Sequence, residues 1–171
     1  MRVGLVHDYL LVLRGAERTF GALADIWPGA PIHTLLYDEA GTRGRFRHRD
    51  VRPSWLQHLG VGQSNFRRLL PLYPAVARRL PVTDYDVVVS SSSAFAHGIR
   101  PRRDAVHVCY VHSPFRYAWD ERDQACAEVP APVRPALEIA LRRHRAVDRR
   151  AARAVTTLVA NSHVTKERIR R

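Results

Sequence analysis

The sequence predicts an α/β fold, a parallel sheet with helices on both faces. Three observations carry that prediction. Short β-branched or apolar runs recur along the chain, at Arg2–Val6, Pro31–Tyr37, Asp50–Pro53, Asp86–Val89, Val106–Val111 and Thr156–Ala160. Stretches with helical spacing or helix-start signals lie between them, and such alternation builds parallel sheets. The Asp86–Val89 and Val106–Val111 runs are apolar almost without interruption, as strands covered on both faces are.

Arg2 to Val6 is the first strand, with His7 and Asp8 at its carboxyl end. Gly15-Ala16-Glu17-Arg18 then opens a helix running to about Ile26, where Pro28-Gly29 stops it. Strand, glycine turn and helix form the first half of a βαβ unit of the nucleotide-binding kind. The amides of Gly15 to Glu17 can hold a phosphate, but an ordinary tight turn reads equally well from one glycine. Pro31 to Tyr37 is the second strand, Arg43 to Asp50 a charged, solvated turn, and Asp50 to Pro53 a short third strand.

Phe66 through Val82 is bulky and basic. Arg67, Arg68, Arg78 and Arg79 alternate with Phe66, Leu69, Leu70, Leu72, Tyr73, Val76 and Leu80. Pro71 and Pro74 divide the stretch into two short helices. Two readings stand: the basic face rests on an anionic membrane surface, or the apolar stripe packs on the sheet.

Asp86 to Val89 is a central strand. Ser90 to Ser93 follow it, small hydroxyls that admit a close backbone approach or cap a short helix. After the Val106 strand, Pro130, Pro132 and Pro135 punctuate a loop. From Arg134 to Arg153, Leu137, Ala140, Leu141, His144, Val147 and Ala151 fall on one helical stripe. Asp148 lies beside that stripe, where Arg145 or Arg149 is expected to neutralise it. Thr156 to Ala160 is the last strand. Asn161-Ser162 then caps a helix that begins at His163 and reaches Arg171 without a glycine cap, the pattern of a chain that continues. The whole, residues 1–171, reads as one Rossmann-like domain.

The chemistry gathers at one stretch, Val106 to Asp120, VHVCYVHSPFRYAWD. A buried-looking strand breaks at His112-Ser113-Pro114 into aromatics, Arg116 and Asp120. Ligands of open α/β sheets sit beyond the carboxyl ends of strands. His7, Asp8, Gly15, Ser90, His112, Arg116 and Asn161 mostly fall there or in the turns just after.

Charge narrows the partners. The formal net charge is +12, and Lys166 is the only lysine, so arginine supplies nearly all the positive charge. A GC-rich genome accounts for part of that bias; the remainder favours phosphorylated ligands, an anionic membrane or nucleic acid. Cys109 and Cys126 have no metal spacing, and reduced cytosolic thiols are expected. Asp8 interrupts the apolar start, and no small-residue cleavage site follows, which argues against a signal peptide. No run approaches the roughly 18 apolar residues of a membrane span.

Several ordered motifs carry a resemblance along nearly the whole chain. They are VHDYL with GAERTF, APIHTLLYD, YDVVVSSSSAFAHGIRP, HVCYVHSPFRYAWD and VANSHVTKERIRR. The chain resembles the amino-terminal domain of the family-four glycosyltransferases, which have the GT-B fold. It looks most like the bacterial, mannosyltransferase-like branch that builds cell-surface polysaccharides. The resemblance implies transfer of a sugar from a nucleotide-sugar donor, with retention and usually without a metal. The nucleotide sugar is a substrate, and no cofactor is expected.

The resemblance also assigns roles. His112 matches the family histidine that faces the sugar. Gly15 matches one glycine of the loop at the donor phosphates, and Arg14 stands where the family usually has another. Either Arg14 strains a left-handed position or it places a cation beside a diphosphate. Asp8, Ser90, Arg116, Tyr117 and Asn161 are expected on the acceptor side or in the cleft. Arg67, Arg68, Arg78 and Arg79 are expected on the membrane-facing surface. The family keeps most donor contacts in a second Rossmann domain, which this chain lacks, so an acceptor-side half, inactive alone, is expected. Its partners would be a nucleotide sugar, a saccharide or lipid-linked acceptor, and a donor domain on another chain. The expected location is cytoplasmic, at the inner face of the cell membrane. The alternative is a non-catalytic basic module for nucleic acid or anionic membrane, although no nucleic-acid motif is present.

Overall fold

The computed structural model describes residues 1–127 and 129–170. Six strands form one all-parallel sheet: β1 (Val3–His7), β2 (Ile32–Thr34), β3 (Val51–Pro53), β4 (Val87–Ser92), β5 (Val106–Val111) and β6 (Thr157–Ala160). The helices are α1 (Gly15–Asp25), α2 (Tyr73–Ala77), α3 (Arg122–Ala127), α4 (Arg134–Arg153) and α5 (His163–Arg170). The Rossmann-like α/β expectation holds.

Strand order is β3-β2-β1-β4-β5-β6. The chain starts in the middle, winds outward through β2 and β3, and crosses back to β4 on the other side of β1. The loops leaving β1 and β4 therefore diverge, and a crevice opens beyond their carboxyl ends. The register sets Leu5 of β1 opposite both Ile32 and Val89.

Successive residues of each central strand serve opposite faces. Leu5 and Val89 pack with Phe20 and Ala24 of α1 and with Phe46. Their neighbours Val6 and Val88 pack with Leu80, Val82, Tyr85 and Ile99. Leu35, Leu36, Leu56, Tyr73, Val76 and Phe95 make a third cluster. Gly4 has a steric reason to be glycine: a Cβ there would overlap the Tyr85 ring. That ring is held by its hydroxyl, 2.7 Å from His33 Nε2.

Some elements depart from expectation. The second strand shortens to Ile32–Thr34, and only an isolated bridge between Leu10 and Tyr37 continues it. The Arg43–Asp50 segment is not simply solvated. Phe46 is buried beside Phe20, and the Arg49 guanidinium donates to Ala24 O at 2.9 Å and Trp27 O at 2.8 Å. Both carbonyls at this helix end also accept backbone amides, and a side chain 25 residues beyond Ala24 adds a second donor to each. Helix α3 was not anticipated.

The Phe66–Val82 stretch divides as expected, into a 3₁₀ turn at Phe66–Leu69 and α2. Its apolar stripe packs inward: Tyr73 is fully buried and donates its hydroxyl to Phe66 O at 2.6 Å. Arg67, Arg68 and Arg79 are exposed and Arg78 half-buried. The expectation for the end of the last helix at Arg171 lies outside the described residues.

Candidate functional site

Asp8 terminates β1 and is 2% exposed. One oxygen accepts the amides of Ser93 and Ala94 at 2.5 and 2.9 Å; the other accepts those of Phe95 and Ala96 at 2.8 and 2.6 Å. The amides cluster because the chain leaving β4 turns into a 3₁₀ segment at Ala96–Gly98, whose first donors lack partners. Asp8 thus ties the two strand ends that define the crevice. Asp8 was expected on the acceptor side or in the cleft; it stands at the crevice with both oxygens serving backbone donors.

His112 follows β5, with its backbone fixed on both sides. Its amide donates to Ser92 O at 2.9 Å, and its carbonyl accepts Thr165 Oγ1 of α5 at 3.0 Å. Its Nε2 lies 2.8 Å from Ser91 Oγ, which lies 3.1 Å from His7 Nδ1. The His7 ring stacks on Phe20 at 4.7 Å, and its Nε2 is 3.9 Å from Glu17 Oε1. The other Glu17 oxygen accepts the Arg14 amide at 2.8 Å. Burial, then the His7 charge, pulls the His112 imidazole below its ordinary value, so it is neutral around pH 7. Burial opposes ionisation of Glu17, but the facing His7 side chain and the Arg14 amide outweigh it, and the carboxyl lies below the usual range.

Gly15 opens α1 at the surface, and a Cβ there would meet nothing within 4 Å. Arg14 is extended (φ −105°, ψ −165°), so no left-handed strain attaches to it.

Tyr9, Ser93, Ser113, Arg116, Tyr117 and Arg168 line much of a hollow of about 330 Å³ at this end of the sheet. The Tyr9 hydroxyl is buried there without a hydrogen-bond partner among the described residues. Burial, then the charge of Asp8, raises its pKa well above the usual tyrosine value, so it stays protonated and can donate. Arg116 is exposed, 3.2 Å from Glu121. Through Arg67, Leu70, Phe115 and Tyr117 the hollow shares its wall with a mainly apolar groove of about 590 Å³, between α2 and α4. Arg67, Arg78 and Arg143 also line that groove.

Two expected residues lie elsewhere. Ser90 is fully buried with its hydroxyl 2.8 Å from His107 Nε2, one residue out of phase with the crevice. Asn161 is exposed after β6, in a separate hollow with Lys166 and Arg170. Sequence reasoning missed Tyr9, Glu17, Ser91 and Arg168. Ser91 was hidden in a run of four serines, where only strand phase separates one hydroxyl from the next.

Behind the site, His97 Nε2 pairs with Asp148 Oδ1 at 2.8 Å, and Trp119 Nε1 donates to the other oxygen at 2.8 Å. The pair joins α4 to the loop after β4. Arg145 and Arg149, expected to neutralise Asp148, have their guanidinium carbons over the Trp119 ring at 5.8 and 5.0 Å. Burial alone would lower His97, but Asp148 outweighs it and the net direction is up. Burial likewise opposes ionisation of Asp148, and His97 reverses it, so Asp148 lies low.

Two other buried histidines, His33 and His107, have the opposite sign. Burial, then the Arg52 charge, brings His33 down to about 4; burial, then the His97 charge, brings His107 to about 4. Folded values below the unfolded one mean stability present above about pH 6.5 and lost as pH falls toward 4, by about 1.4 kcal/mol per pH unit for each group. His97 contributes below about pH 6.5 and loses that contribution as pH rises through its raised value. Asp148 contributes above about pH 4 and loses it as pH falls through its lowered value. The urea midpoint should therefore drop clearly from pH 7 to pH 5. A flat or rising midpoint would contradict this balance.

The family model described as Glycosyltransferase Family 4 matches residues 13–171 of the chain. No curated protein and no solved structure matches it significantly.

Proposed function

The chain belongs to glycosyltransferase family 4, and from that premise we propose that it forms the acceptor-side wall of a retaining GT-B enzyme. The observation that carries this reading is a common placement at the carboxyl end of the sheet. A neutral, backbone-anchored His112, the unpartnered Tyr9 hydroxyl and the open amino end of α1 all lie at carboxyl ends of β1 and β5 or just after.

Transfer breaks the bond between the donor's anomeric carbon and its diphosphate and forms one to an acceptor oxygen. The acceptor's hydroxyl proton leaves with the departing phosphate oxygen. His112 would hydrogen-bond the sugar, and Tyr9 would donate to the sugar or acceptor. Arg14 and the first amides of α1 would meet the diphosphate charge without a metal. A second domain would supply the remaining donor contacts. The finer identity we propose is a mannosyl or related transferase of bacterial cell-surface polysaccharide synthesis.

Residues 1–171 tested alone should bind nucleotide sugars no tighter than about millimolar, because a few solvent-exposed contacts give little. Calorimetry against a panel of nucleotide sugars and a radiolabelled transfer assay check this. Micromolar binding or multiple turnover by these residues alone would sink the half-site reading. Nucleic-acid binding that is steeply salt-dependent and indifferent to sugar would favour the basic-module alternative.

The apolar groove continuing from the hollow supports an acceptor with a hydrocarbon tail, presented at the cytoplasmic membrane face. Among the described residues no helix is long and apolar enough to cross a membrane, so attachment would be peripheral. The apolar contribution would come from Trp55, Leu59 and Leu72, which are exposed, rather than from buried Tyr73. Liposome co-sedimentation should rise with anionic lipid and fall with salt, and weaken when Arg67, Arg68, Arg78 and Arg79 become Gln. Equal binding to neutral liposomes would refute the electrostatic part.

A further inference from the structure

We propose that Glu17 is a positioning residue which, acting through His7 and Ser91, selects the tautomer of His112 that keeps Nδ1 free to accept a hydrogen bond. The inference rests on the placement of His112 at the sugar, and it adds a way of controlling that group. Four side chains form one chain of contacts: Glu17 to His7 at 3.9 Å, His7 to Ser91 at 3.1 Å, and Ser91 to His112 at 2.8 Å. His7 is 2% exposed and Ser91 fully buried, so the links run through the interior.

The proton positions follow from counting. A serine hydroxyl has one proton and stands here between two imidazole nitrogens. It can donate to one and must accept from the other. With one proton on each ring, two arrangements satisfy this. In the first, His7 carries its proton on Nε2, Ser91 donates to His7 Nδ1, and His112 donates to Ser91 from Nε2. His112 Nδ1 is then a bare acceptor. In the second, every proton is reversed, and His112 would carry its proton on Nδ1.

Glu17 separates the two. Its carboxylate faces His7 Nε2 and carries a full negative charge near neutral pH. At 3.9 Å the contact is too long for a direct hydrogen bond but within strong Coulombic reach. A proton on His7 Nε2 is attracted, whereas a bare lone pair there is repelled. The bias passes through Ser91 to His112. The Phe20 ring stacked on His7 keeps the imidazole from turning out of line. The Arg14 amide holds the far oxygen of Glu17.

Glu17→Gln separates this role from a structural one, because glutamine also accepts the amide at the start of a helix and only the charge is lost. Long-range proton–nitrogen NMR of the histidine rings, recorded at mildly alkaline pH, reads the tautomer of each ring in residues 1–171. The unmodified chain should show His112 protonated on Nε2, well beyond free imidazole's modest preference for that tautomer. Glu17→Gln should lower the His112 tautomer ratio by roughly fivefold. On a Ser91→Ala background the same substitution should leave the His112 ratio unmoved. Nδ1–H on His112, no response to Glu17→Gln, or a response that survives Ser91→Ala overturns the proposal. None of these readouts requires sugar transfer, so an inactive or differently acting protein would not be confused with a broken relay.

Discussion

Asp8→Asn is expected to remove about 4 kcal/mol or more, a large share of the roughly 5–15 kcal/mol that holds a domain of this size together. The carboxylate accepts four backbone amides from Ser93 to Ala96, and these donors have no other partner nearby. Asparagine keeps the shape of aspartate. However it is turned, its NH₂ would face two of those donors with hydrogens against hydrogens. Each buried donor left unsatisfied costs about 1–3 kcal/mol. The damage would also be local, because the same contacts hold the loop after β4 against the end of β1. Urea denaturation followed by circular dichroism measures the loss, and Asp8→Ala should be similarly severe. A change below about 1 kcal/mol in both variants would show that the loop re-forms its hydrogen bonds without the carboxylate.

His112→Ala is expected to lower turnover about tenfold to a thousandfold in an enzyme that holds both walls of the cleft, the usual range for losing a catalytic hydrogen bond. Folding should survive, because the anchoring bonds at His112 are made by its backbone and alanine keeps them. Steady-state transfer assays at saturating donor, with circular dichroism as control, check the outcome. Near wild-type turnover by a folded variant would remove His112 from the reaction.

Much of the frame was legible because strand burial writes itself into composition. Val87-Val88-Val89 and Val106 to Val111 could hardly be anything else, and β1, β4 and β5 fall where the apolar runs do. The location of the site followed from the same runs, since carboxyl ends of parallel strands are where such sheets bind. Partnership between distant groups was not legible. Asp8 looks like any carboxylate after a strand until its four donors arrive from some 85 residues away. Ser90 and Ser91 are identical letters, and a single step of pleat sends one to His107 and the other to His112. Arg49 read as a surface charge because nothing local reveals that the end of α1 lies beside it. Helix α3 has no apolar period to announce it.

The placement of β1 also governs how the chain assembles. Of the six described strands, β1 is made before the rest and lies inside the finished sheet, and one of its two neighbours, β4, is about 84 residues downstream. During synthesis β1 can zip to β2, and β2 to β3, while the other side of β1 waits with bare amides and carbonyls. That edge includes Leu5 and Val6, both fully buried at the end. It is the hazard period for this fold, because an open apolar strand edge pairs readily with a neighbouring nascent chain. Closing it requires a long loop to find its register, which is slow for parallel sheets. The Asp8 carboxylate engages only when Ser93 to Ala96 arrive, so its bonds form as the edge is sealed and latch β4 in place.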